Sequence, residues 1–135
     1  MLFRSIAAQE SVSSPEEALS LLEENGADLL KIKLTHIGGF QRGFQVAAVV
    51  GARGLPVVVG QGSACTTILS AAEMHFYAAI RNGRPGGEMT GFLRLGEQHG
   101  FGPIEVQGGR AIVPEGPGLG IKVDGGEVRK LARSR

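Results

Sequence analysis

The chain has 135 residues, with 14 basic and 13 acidic side chains and a formal net charge of +1. That length is enough for one domain with a real core and too short for a complete (β/α)₈ barrel, which needs about 250 residues. The near-neutral charge gives no basic face for nucleic acid, and no stretch approaches the roughly 18 apolar residues of a membrane span. The first ten residues lack the parts of a secretory signal, and the single cysteine, Cys65, excludes an internal disulfide. Together these predict a cytoplasmic protein. Glycine is the compositional outlier, with 22 residues. The glycines are aperiodic and separated by apolar residues, so they read as punctuation between short elements rather than as collagen or disorder.

In chain order, Leu2 to Ala8 reads as a strand. Ser14-Pro15-Glu16-Glu17 then predicts a capped helix, with Ala18, Leu21 and Leu22 as its buried stripe and Asn25-Gly26 as its stop. Asp28 to Lys33 is the second strand. A Gly38-Gly39 turn leads to a helix with Phe40, Phe44, Ala47, Ala48 and Gly51 on one face, stopped by Gly54. Leu55 to Val59, nearly all apolar, suits a parallel strand buried on both faces. A loop from Gly60 to Cys65 precedes a helix from about Thr66 to Asn82. Three strand–loop–helix units in succession predict parallel strands joined by right-handed crossovers. Beyond Gly83 the pattern changes: a further strand is expected within Glu88 to Leu95, an antiparallel pair within Ile104 to Val123 turning at Gly108-Gly109, and a short basic helix from Gly125 to Ser134.

Chemistry in parallel α/β folds gathers at the carboxyl ends of the strands. That singles out Gln9-Glu10-Ser11, Lys33, the loop from Gln61 to Cys65, and Glu88. Lys31 and Lys33 point to one side of their strand, because the side-chain period is two. Neighbouring strands run about 4.8 Å apart, which puts Lys33 within reach of Gln9 or Glu10. Gly60-Gln61-Gly62 opens no dinucleotide motif, since Cys65 occupies the third glycine position. His75 shares a helical face with Ile68, Ala72 and Ala79 and reads as a packed histidine. His36 and His99 have no second ligand at metal spacing.

Four segments resemble the C-terminal part of the enolase superfamily, in its mandelate racemase and muconate lactonizing branch. Ile6-Ala7-Ala8-Gln9-Glu10-Ser11-Val12 is similar to that family's fifth barrel strand. Ala27 to Leu34, followed by Gly38-Gly39, resembles the sixth strand with its lysine. Gly54-Leu55-Pro56-Val57-Val58-Val59-Gly60 resembles the seventh. Val113-Pro114-Glu115-Gly116-Pro117-Gly118-Leu119-Gly120, with Asp124, resembles the closing segment. The resemblance implies an α/β fold: part of a TIM-type barrel from the fifth strand onward, ending in a β-hairpin. Residues 1–135 would be a C-terminal fragment, with the capping domain and first four strands absent.

By the same resemblance, Lys33 is the acid/base that handles a proton α to a carboxylate, and Glu88 is a second acid at the rim. Gln9 stands where the family has a carboxylate ligand for Mg²⁺, and Glu10 is the residue able to substitute. Lys31 receives no role. The implied substrate is a small carboxylate, and the implied outcome is racemisation, cycloisomerisation or dehydration. The isolated chain, lacking most of the charged site, is expected to be inactive. It is also expected to self-associate or to require a missing N-terminal half, since an open parallel sheet leaves unpaired edges. The alternative is a non-catalytic remnant or interaction module.

Overall fold

The computed structural model describes residues 5–60, 65–84, 86–94 and 104–133. Its centre is a parallel sheet in the order β1 (Ala7–Ala8), β2 (Leu29–Ile32), β3 (Val57–Val59). Ala7 pairs with Leu29, and Lys31 faces Val58 across the β2–β3 ladder. A fourth strand position is marked by two parallel bridges, Val57 to Gly83 and Gly60 to Glu88.

Helix α1 (Pro15–Glu23) connects β1 to β2. Its start follows the capping logic with a displacement of one residue. Ser14 Oγ accepts from the Glu17 amide at 3.2 Å, and the main partners of Glu17 Oε2 are the amide and hydroxyl of Ser13, at 2.6 and 2.8 Å. Those bonds hold the Glu17 carboxyl below its ordinary pKa. Ala18 and Leu22 are buried as expected.

Between β2 and the next long helix lies a short turn of helix, α2 (Leu34–Ile37), ended by Gly38 in the left-handed conformation. The sequence reading passed over it, because four residues are too few to show a period. In α3 (Phe40–Ala52) the buried face carries Gly43, Val46, Ala47 and Val50. This corrects the expected face of Phe40, Phe44, Ala47, Ala48 and Gly51. Phe40 and Phe44 lie at its margin, partly exposed, and close over Phe76, with Phe44 and Phe76 centroids 5.0 Å apart. Gly43 is central because its missing side chain admits the Phe76 ring; a Cβ there would lie 3.1 Å from it.

Helix α4 (Thr67–Ala79) follows β3 and is buried on most of its surface, with Phe76 at its heart. At its far end Asn82 Nδ2 donates to the carbonyls of Ala47 and Leu55, at 3.1 and 3.2 Å, tying α3 to the approach to β3. The strand expected within Glu88 to Leu95 is not formed over its described residues. Glu88 makes a single bridge, and Gly91–Arg94 is a short helix, α5; Leu95 lies outside the described residues. Here the Gly-rich approach cannot sustain a ladder. The expected hairpin is present as β4 (Val106–Gln107) and β5 (Arg110–Ala111), paired antiparallel, and α6 (Gly125–Arg133) ends the described chain. The main core joins α1, α2, α3 and the sheet to α4. A second cluster of Ala71, Met74, Phe92 and Ile104 fixes α4 to the C-terminal segment. Within that segment, Gly120 has φ +68° and packs so tightly that a Cβ would lie 2.7 Å from the Pro114 carbonyl.

Candidate functional site

Three strands running in parallel deliver their carboxyl ends to one rim, and the charged residues singled out in the sequence gather there. Gln9 and Glu10 occupy the turn that leaves β1. On a regular strand consecutive side chains would diverge. The turn lets both work together: Gln9 Nε2 donates to Glu10 Oε1, and the same oxygen accepts from Lys33 Nζ at 2.6 Å. Lys33 sits just past the end of β2 as the residue capping α2. Its hydrogen bond, then that of Gln9, holds the Glu10 carboxyl below its usual range.

Lys31, two residues earlier on the same side of β2, reaches the other way. It crosses over β3 at Gly60 to pair with Glu88 Oε2 at 2.5 Å. Gly60 makes that crossing possible, for a Cβ there would lie 2.1 Å from Lys31 Cε. Both lysine side chains are only 17% exposed, whereas their partners Glu88 and Glu10 are 56% and 65% exposed. The amines are therefore shielded by the rim, and the carboxylates face outward.

The structure thus brings Gln9, Glu10, Lys31, Lys33 and Glu88 onto one rim. Of the expected loop from Gln61 to Cys65, residues 61–64 lie outside the described residues, as does His99. Cys65 is buried. His75, half-buried, has Nε2 3.3 Å from the Leu119 carbonyl, a packing contact with the closing segment. Two features escaped sequence reasoning. Lys31 was visible as a residue on the same side as Lys33, but its partner on a non-adjacent strand position was not. Glu73 is a fully buried carboxyl on α4 whose two oxygens have no hydrogen-bond partner. A glutamate at the second turn of an apolar helix was the one signal for it.

Mg²⁺ takes about six hard oxygen ligands. Glu10 and the amide oxygen of Gln9 are too few, and among the described residues no group of three or more His, Cys, Asp or Glu side chains could hold a metal ion. By themselves the residues present do not fit Mg²⁺.

This arrangement is that of a parallel α/β fold whose rim carries paired lysines and carboxylates. Residues 4–128 match the family of enolase C-terminal domain-like proteins, and the chain belongs to that family, in its mandelate racemase and muconate lactonizing branch. The chain is 33% identical over 130 residues to muconate cycloisomerase 1-1 of Acinetobacter lwoffii, covering 95% of this chain and 34% of that protein. It is likewise 33% identical over 129 residues to muconate cycloisomerase 1 of Rhodococcus opacus, covering 96% and 34%. Among solved structures, 2-chloromuconate cycloisomerase from Rhodococcus opacus superposes with a TM-score of 0.87 at 26% identity, over 96% of this chain and 35% of that one. The L-Ala-D/L-Glu epimerase from Bacillus subtilis gives a TM-score of 0.81 at 33% identity, over 89% and 33%. The chain therefore spans about a third of the length of the curated relatives it matches.

Proposed function

We propose that this chain is the C-terminal portion of a (β/α) barrel enzyme that moves a proton at the carbon α to a carboxylate. The observation that carries the reading is the convergence of Lys33, Lys31, Glu10 and Glu88 at the carboxyl ends of parallel strands. In this reading Lys33 is the acid/base. Its Nζ donates to Glu10 at 2.6 Å and must part from that carboxylate to reach a substrate. Glu88 is the second acid at the rim, steadied by Lys31. The substrate is a small carboxylate, and the result is an isomerisation of the kind the relatives' names describe, or a dehydration.

Gln9 and Glu10 would contribute to a Mg²⁺ site only if further ligands came from strands beyond this chain. Replacing the usual carboxylate by Gln9 lowers the charge such a site could offer the ion.

The test joins this chain to the N-terminal two-thirds of a muconate cycloisomerase relative and follows exchange of α-hydrogens in D₂O by NMR over a panel of carboxylic acids. Exchange is expected, and Lys33→Ala should lower it by about 10²- to 10⁴-fold, the usual contribution of a positioned acid/base. Full exchange by Lys33→Ala would remove Lys33 from the mechanism. The same assay on the chain alone is expected to show none.

A further inference from the structure

Glu73 stands apart from the rim chemistry. It is 0% exposed, and neither carboxyl oxygen has a hydrogen-bond partner. Ser70, one turn earlier, is also 0% exposed, with its hydroxyl oxygen unpartnered. Three positions after Ser70 and three before Phe76 on a helix of 3.6 residues per turn, Glu73 shares the side of α4 that carries those two fully buried residues. Gly91 closes the neighbouring space: a Cβ on it would lie 2.8 Å from Ser70 Oγ and 2.5 Å from the Cys65 carbonyl.

Among the described residues no cation bonds to Glu73. Those whose charge reaches it are Lys31 and Lys33, from β2 and its end. Each already pairs with another carboxylate, Glu88 and Glu10 respectively. Strand β3 contributes only valines, and α3 meets α4 through Gly43, Phe40 and Phe44. On α4 itself, His75 is turned to the Leu119 carbonyl, and Tyr77 lies against Gly83. A carboxylate buried without a dedicated partner is costly, so the group is buried as the neutral acid.

We propose that Glu73 is a pH-sensitive catch on α4: its neutral acid is buried while the helix is docked on the sheet, and its ionised form belongs to the undocked helix. Helix α4 leads directly to Gly83 and Glu88. Its release therefore removes the support of the Gly60–Glu88 bridge and of the Lys31–Glu88 ion pair.

The sign follows from proton linkage. Burial lifts the Glu73 carboxyl from 4.5 to about 8 in the docked helix, against the opposing pull of Lys31 and Lys33. An undocked Glu73 titrates near 4.5. Between those values the undocked form binds fewer protons, so each unit of rising pH favours release by up to about tenfold; outside them the dependence vanishes.

Amide hydrogen exchange of the whole chain, converted to protection factors, tests this from about pH 5 to about pH 9. In the wild type, α4 protection should fall by up to tenfold per unit until near pH 8 and then level. In Glu73→Gln it should be flat, and α1 amides should be flat in both. Infrared spectra of the wild type alone give a second reading: a protonated-carboxyl band present at neutral pH and lost with a midpoint near 8. Equal slopes in the two proteins, flat wild-type protection, or absence of that band would each overturn the proposal.

Discussion

At the residue scale the rim is a balance of two lysines against two outward-facing glutamates. Glu10 owes its depressed pKa first to the Lys33 hydrogen bond. A carboxyl depressed in this way adds stability that is present above its unfolded value and lost as pH falls through the folded one. Lys33→Met should therefore move the Glu10 titration, followed by carboxyl ¹³C shifts, up toward 4.5. An unmoved titration would mean that the pair does not persist in solution. Gly60→Ala is a second test. The new methyl displaces Lys31 rather than backbone, so stability should change by under about 1 kcal/mol while the contact between Lys31 and Glu88 is lost. A crystal structure of the variant and a denaturant titration read the two effects separately.

At the scale of elements, two substitutions measure what holds the layers together. Phe76→Ala removes the fully buried ring shared by α3, α4 and the sheet, and should cost about 3–5 kcal/mol in urea unfolding. Ser14→Ala removes the cap of α1 and should cost about 1 kcal/mol. These elements also mark what could be read beforehand. Helix α1 was legible because Ser14, Pro15 and Glu17 act locally, and β3 because a run of valines has few alternatives. The face of α3 was misread because aromatic size suggested the core, whereas close approach to Phe76 selected Gly43. A further strand was expected within Glu88 to Leu95. Glu88 is instead placed by its bridge to Gly60, a long-range pairing to which no local pattern points. The residues of the rim could be named from strand ends alone. Which lysine pairs with which acid could be foreseen for adjacent strands, as for Lys33 and Glu10, and not for Lys31, whose partner lies one strand further on.

For the whole molecule, the decisive property is an open sheet. β1 has a neighbour on one side only among the described residues, and Ile6 beside it is 62% exposed. Unpaired strand edges recruit other strands. The isolated chain should therefore self-associate, with a mass by light scattering that rises with concentration. Joining the N-terminal two-thirds of a muconate cycloisomerase relative should abolish this. A monomer that persists at high concentration would show that the edge is covered within the chain.

Lys31 and Lys33 alternate along one strand, and each takes its acid from a different side: one from the unit before, the other from two strand positions ahead. The second strand is thus an exchange unit with both electrostatic addresses written on it. A recombination event that imports β2 together with α2 from a relative would replace both cations at once and leave both glutamates in their native loops. Chimeras cut within α1 and α3 should accordingly tolerate foreign sequence better than chimeras cut between Lys31 and Lys33, where the two halves of one address system would descend from different parents.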